Sequence, residues 1–145
     1  MPEPKYLLDT DICSYLILDE FSVPDEFHKR RNSVFYSEIS LTELMSIVLS
    51  KRALFSDRQI TLFFQLMESK LFLVDSNDWS LCSEIHAALL DANLLAKDNR
   101  ANFDMLIASV AINRDLILVT GNDKHFKKIA TVTNLKYENW AVGRP

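Results

Sequence analysis

Glycine is nearly absent from this 145-residue chain, with Gly121 and Gly143 the only two. A GxGxxG dinucleotide loop or a GxxxxGK[ST] phosphate loop therefore cannot be written anywhere in it. Cysteine is just as scarce. Cys13 and Cys82 stand far apart, with no CxxC or HExxH motif near them. Neither a zinc cluster nor a disulfide framework is suggested, and a reducing, cytoplasmic setting is expected. No run approaches the roughly 18 apolar residues of a membrane span. The opening MPEPKYLLD lacks the basic region and apolar stretch of a secretory signal, so no membrane association is expected. Positive charge is in deficit too: 16 Lys and Arg face 20 Asp and Glu, a net of −4. That balance argues against a protein that grips nucleic acid by bulk positive charge, yet it suits a catalyst that holds metal with surplus carboxylates.

What remains is an ordinary globular composition, 48% hydrophobic and 25% charged, at a length that suits one domain over residues 1–145. Lys5 to Leu8 is a short apolar run stopped by Asp9, which predicts a buried strand, and Ile12 to Leu18 then reads as helix. Phe21 to Asn32 holds Pro24 and the cluster Lys29, Arg30 and Arg31, a surface connection with a short helix. Val34 to Tyr36 is a second strand. Ser40, with Glu43 three residues on, has the spacing of a capping box opening a helix that runs to about Lys51. Helix follows over Asp57 to Ser69, strand over Leu71 to Val74, helix over Asn77 to Leu95, and polar loop over Ala96 to Asn102. Asp104 opens a nearly all-apolar helix, Met105 to Ile112, and Leu116 to Val119 is the clearest strand. A turn at Thr120 to Asp123 leads to a short helix through Phe126 to Ile129, and Leu135 to Tyr137 adds an edge strand. Strands alternating with helices predict an α/β fold, a mainly parallel sheet covered on both faces.

In such sheets ligands collect beyond the carboxyl ends of the strands. Asp9 follows the first strand and Thr120 to Asp123 follow the clearest one, while Glu43 and Asp104 each sit in the first turn of an apolar helix. Singly, each acid has a structural explanation: Asp9 and Asp123 as helix caps, Glu43 as the partner of Ser40, Asp104 as a first-turn acid that suits the helix dipole. Jointly they point elsewhere, because carboxylates gathered at the edge of a core repel one another and protonate unless a cation sits among them. Oxygen donors without His or Cys indicate a hard ion, Mg²⁺ or Mn²⁺. Such an ion is suited to phosphodiester hydrolysis.

Five segments then resemble the PIN-domain family, and within it the VapC-type toxins of bacterial toxin–antitoxin pairs. YLLDTDICSYL at 6–16 resembles the family's opening motif, with Asp9 at its first acid and Asp11 where Asn is usual. ISLTELMSIV at 39–48 resembles the second motif, placing Glu43 on the second acid and Ser40 on its small hydroxyl. FDMLIASVAI at 103–112 places Asp104 on the third acid, LILVTGNDKHFKKI at 116–129 resembles the strand-and-turn motif, and LKYENW at 135–140 resembles the closing segment. The resemblance implies a three-layer α/β/α sandwich. It also implies a metal-dependent ribonuclease that cleaves RNA, is silenced by a cognate antitoxin, and is usually a homodimer. Asp9, Glu43 and Asp104 would bind Mg²⁺ or Mn²⁺, and Thr120 with Asn122 or Asp123 would complete the fourth corner. Two glycines common in the family, after the second-motif acid and before the third motif, are missing here.

Two alternatives compete. LLDTDIC also resembles the DxD opening of HAD-type phosphatases, although Cys13 stands where that family expects Thr or Val. A PIN-like module that binds RNA or an antitoxin without cleaving is the other, against which stands retention of all three acids. Lys124, Lys127 and Lys128 read mainly as a solvated helix face, the three histidines are too scattered for His catalysis, and His125 lies beside the fourth-corner turn.

Overall fold

The computed structural model describes residues 3–18, 25–51, 54–68, 70–95 and 101–141. Strand β1 (Tyr6–Leu8) leads into α1 (Thr10–Leu18), α2 (Asp25–Arg30), a 3₁₀ turn at Arg31–Ser33, β2 (Val34–Ser37) and α3 (Glu38–Ser50). Then follow α4 (Asp57–Glu68), β3 (Leu71–Phe72), α5 (Ser76–Asp91), α6 (Ala101–Asn113), β4 (Ile117–Val119), α7 (Asp123–Val132) and β5 (Tyr137–Glu138). The strands form one sheet in the order β3-β2-β1-β4-β5. Every pairing is parallel, with Tyr6 opposite both Val34 and Ile117.

Period-two alternation explains why the central strands read as unbroken apolar runs. Tyr6 and Leu8 face a core shared with Ile12, Tyr36, Leu44 and Met67, so α1, α3 and α4 cover that side. Leu7 and Leu118 face the other core, built with Ile85, Met105, Ile107, Phe126 and Ile129 from α5, α6 and α7. The result is a three-layer α/β/α sandwich. Full burial of each such leucine stabilises the fold by about 1.5–3 kcal/mol. Helix α6 is buried nearly all round, from Met105 to Ala111, which is why its sequence shows no polar face.

Glycine scarcity is met by Asn and Asp at the helix ends. Asn93 (φ 56°) and Asp115 (φ 54°) take the left-handed conformation. The following amides close the turn, Leu94 N to Leu89 O at 2.9 Å and Leu116 N to Ala111 O at 2.9 Å. The first of these stops α5 at Asp91, so the helix expected to reach Leu95 is shorter.

Several boundaries move. Helix α3 starts at Glu38, and its cap is Ser37, whose side chain accepts from Ser40 N at 3.2 Å. Ser40 therefore caps nothing, and Glu43 lies in the second turn rather than completing a capping box. The reason is that β2 runs straight into α3, so the last extended residue, Ser37, supplies the cap. The capping box that does form joins Asp75 and Asp78 at the start of α5. Helix α6 begins three residues before Asp104, which stays in its first turn. Helix α7 runs from Asp123 to Val132, longer than the sequence pattern suggests, and β5 is shifted to Tyr137–Glu138. Residues 21–24 of the first connection and 96–100 of the polar loop lie outside the described residues. No described helix is long and apolar enough to cross a membrane.

Candidate active site

Strands β1 and β4 lie side by side, but the chain leaves them in opposite directions, toward β2 and toward β5. A crevice opens at the carboxyl ends of two such strands. Asp9 is the first residue after β1, and its backbone N–H is tied to Val119 O at 2.8 Å. The residue is 8% exposed. Its carboxylate accepts from Thr10 N at 2.8 Å and from the Thr120 hydroxyl at 2.9 Å. Both donors are neutral. Burial first, then the charge of Asp11, pushes the Asp9 carboxyl up to about 8, against the pull of the two hydrogen bonds.

Asp11 binds across the crevice. One oxygen accepts from Ile12 N at 2.7 Å and the other from Gly121 N at 2.8 Å, stitching the turn after β1 to the turn after β4. A Cβ on residue 121 would stand 2.8 Å from that second oxygen, so the close approach requires glycine. Burial raises the Asp11 carboxyl above its ordinary value, with Asp104 adding to the effect.

Glu43 reaches the same cleft from the second turn of α3. Its Oε1 accepts from the Thr10 hydroxyl at 2.7 Å, and it is the exposed member of the group. Ser40 lies buried behind, within 3.1 Å of the same Thr10 hydroxyl. Asp104 arrives from α6, where its Oδ2 meets His125 Nδ1 at 2.7 Å. Asp9, Asp11, Glu43, Asp104 and Asn122 all line one cavity of about 280 Å³. Asp123, an exposed residue opening α7, does not line it. Thr120 is fully buried, its hydroxyl bridging Asp9 and the Asn122 N–H at 3.0 Å. Two participants have no place in the acid pattern. Thr10 links Asp9, Ser40 and Glu43, and a hydroxyl between two acids in DTD is the available signal. His125 touches Asp104, and its three-residue spacing from Asn122 is the signal there.

Cys13 takes no part: it is fully buried and burial drives its thiol well above the usual range. A larger groove of about 330 Å³, between α3 and α4, is lined mainly by apolar side chains, Met45, Val48, Leu49, Ile60 and Phe64, with Asp57 and Thr61 beside them.

The cleft fits a hard cation in chemistry and charge. Its donors are all oxygen, and Asp9 is a buried carboxylate without a positive partner among those holding it. Among the described residues no three His, Cys, Asp or Glu side chains stand close enough to clasp an ion together. Asp9, Glu43 and Asp104, the three acids expected to bind the ion, share the wall of the cavity without forming such a cluster.

Parallel order, a cleft at the reversal of strand direction and acids from β1, α3 and α6 define an α/β protein with an acidic centre. The PIN-domain model matches residues 6–132, and the chain belongs to that family, in its VapC-type branch. It is 32% identical to "Ribonuclease VapC2" of Rickettsia felis, over 93% of this chain and 97% of that one. It is 27% identical to the "tRNA(fMet)-specific endonuclease VapC" of Shigella flexneri, over 94% and 98%. The crystal structure of VapBC2 from Rickettsia felis bound to a promoter DNA fragment superposes with a TM-score of 0.69 at 28% identity, over 93% and 98%. Membership removes the phosphatase alternative.

Proposed function

We propose that this chain is a metal-dependent ribonuclease, the toxin of a toxin–antitoxin pair, hydrolysing RNA phosphodiester bonds in the acidic cleft. The observation that carries the chemistry is Asp9, a buried carboxylate held by neutral donors beside Asp11 and Asp104. A purely structural site has no use for such mutual repulsion, whereas a bound cation relieves it. The same crowding counts against a module that binds without cleaving. The names of the relatives, a ribonuclease and a tRNA(fMet) endonuclease, support an RNA substrate, and the VapBC complex supports an antitoxin as partner.

Asp9 and Asp104 would hold Mg²⁺ or Mn²⁺, with Glu43 beside them and Asn122 at the fourth corner. When bound, such an ion lowers the pKa of a water and offsets charge building on the attacked phosphate. The remaining work falls to the protein. Thr10 and Thr120 fix Asp9 in one orientation, and Thr10 also fixes Glu43 through Oε1. The second Glu43 oxygen is not engaged by Thr10, and Glu43 would orient the ion's water or take its proton. The Asn122 carboxamide offers a neutral donor and acceptor where a fourth acid would add repulsion.

The test is cleavage of cellular RNA by the purified chain in millimolar Mg²⁺ or Mn²⁺, with initiator tRNA as the first substrate. Cleavage is expected to stop with chelator, Glu43→Gln to lower kcat by about 10²-fold or more, and Asp104→Ala to relieve growth arrest on expression. Intact RNA with both metals, together with arrest by Asp104→Ala, overturns the reading.

A further inference from the structure

We infer that His125 is a positioning residue for Asp104, holding one carboxylate oxygen so that the other is presented to the cleft. The inference rests on the nuclease reading above and concerns a residue outside the acidic set. His125 sits in the first turn of α7, three residues after Asn122, and its Nδ1 lies 2.7 Å from Asp104 Oδ2. Both side chains are mostly buried, at 26% and 19% exposure. An ionised carboxylate only accepts, so the ring nitrogen must donate, which places the proton on Nδ1. Asn122 Nδ2 stands 3.2 Å from the same nitrogen. A ring N–H has nothing to accept with, so the carboxamide orientation matched to it turns its oxygen toward the ring. One N–H then ties together two corners of the cleft, Asp104 from α6 and Asn122 at the head of α7.

The two acids of the turn after β1 are held differently. Asp9 and Asp11 take backbone N–H groups from the turns they belong to or face, and these donors survive any side-chain change. Asp104 takes a side chain from a different helix, and this contact couples it to the packing of α6 against α7 and to the identity of residue 125. Groups that orient a metal-binding side chain from behind typically change metal affinity by about 10- to 100-fold when removed.

The experiment titrates Mn²⁺ into the full chain by calorimetry without RNA, then measures kcat and KM for RNA separately. His125→Ala is expected to weaken Mn²⁺ binding by about tenfold or more and to lower kcat with KM for RNA unchanged. His125→Asn places an amide nitrogen where Nδ1 lies and restores most of both quantities. His125→Gln places it where Nε2 lies and does not. Should the alanine variant fail to fold, the Asn and Gln pair reads the same distinction. Wild-type Mn²⁺ affinity in His125→Ala, or equal behaviour of Asn and Gln, overturns the role of His125 while leaving the nuclease intact. A wild-type chain that binds no Mn²⁺ overturns the nuclease reading and this inference with it.

Discussion

Asp78 and Asp9 are both aspartates at the start of a helix, both buried, and they end in opposite electrostatic states. Asp78 is fully buried at the head of α5. Arg114 grips its two oxygens at 2.8 and 3.1 Å, and Asn113 and the Asp75 N–H add bonds at 2.9 Å each. Burial alone would raise this carboxyl, but the hydrogen bonds and the charge of Arg114 outweigh it and hold it below the ordinary value. Arg114 in turn donates to Leu73 O at 3.0 Å and Val110 O at 3.2 Å and lies over the Phe72 ring. The cluster clamps α5, α6 and the end of β3 together. Among the described residues Asp9 has no such cation: its donors are a backbone N–H and a hydroxyl, and its charged neighbours are acids. A compensated buried acid is a structural device, and an uncompensated one among other acids is a place prepared for a cation.

The contrast is sharpest in stability. Asp78→Ala leaves the largely buried Arg114 without its carboxylate and should cost about 3–5 kcal/mol in urea unfolding at pH 7. Because the folded value of Asp78 lies below 3.8, its contribution is present above that pH and is lost as pH falls, so variant and wild type should converge in acid. A loss near zero at pH 7 breaks the comparison from the structural side.

Asp9→Asn should act in the other direction. With a folded value near 8 against an ordinary 3.8, the contribution of Asp9 is intact in acid and is lost as pH rises across that interval. The asparagine variant escapes the loss. In chelator it should match wild type near pH 4 and exceed it at pH 8, the gap widening by at most about 1.4 kcal/mol for each pH unit crossed between the two values. Thermal melts at the two pH values check this. A destabilised variant at pH 8 would mean that Asp9 is compensated after all.

The smallest expected effect belongs to Gly121→Ala, whose Cβ would meet Asp11 at 2.8 Å and the Ala141 Cβ at 3.1 Å. Overpacking of this kind costs about 1–3 kcal/mol, read by urea unfolding. Displacing Asp11 also parts the turns after β1 and β4, so Mn²⁺ affinity should fall with it. A neutral substitution on both counts would show that the stitch between the two turns is dispensable.

Much of the site is legible in the sequence because it is local. Asp9 ends an apolar run and Asp104 sits at the head of another, and an acid that stops a buried segment lies at the boundary of the core whatever the fold. Glu43 stands out in the sequence for a wrong local reason, as a capping partner of Ser40. Ser37, Ser40 and Thr42 all offer a hydroxyl near the start of α3, and only the path of β2 into the helix selects Ser37. The fourth corner is ambiguous for a similar reason. Asn122 and Asp123 differ by one position, and the start of α7 at Asp123 leaves Asn122 on the cleft.

Patterning within single segments is enough for the alternation of strands and helices, the burial of both sheet faces and the nuclease-type acids, because apolar periodicity and the cost of burying charge act on neighbours in the chain. The pairing of β1 with β4, the bridge from Asp11 to Gly121 and the contact of His125 with Asp104 come only from the folded chain. The bridge spans 110 positions and the His125 contact 21. Their energy depends on distance and dielectric in space, which no local pattern encodes.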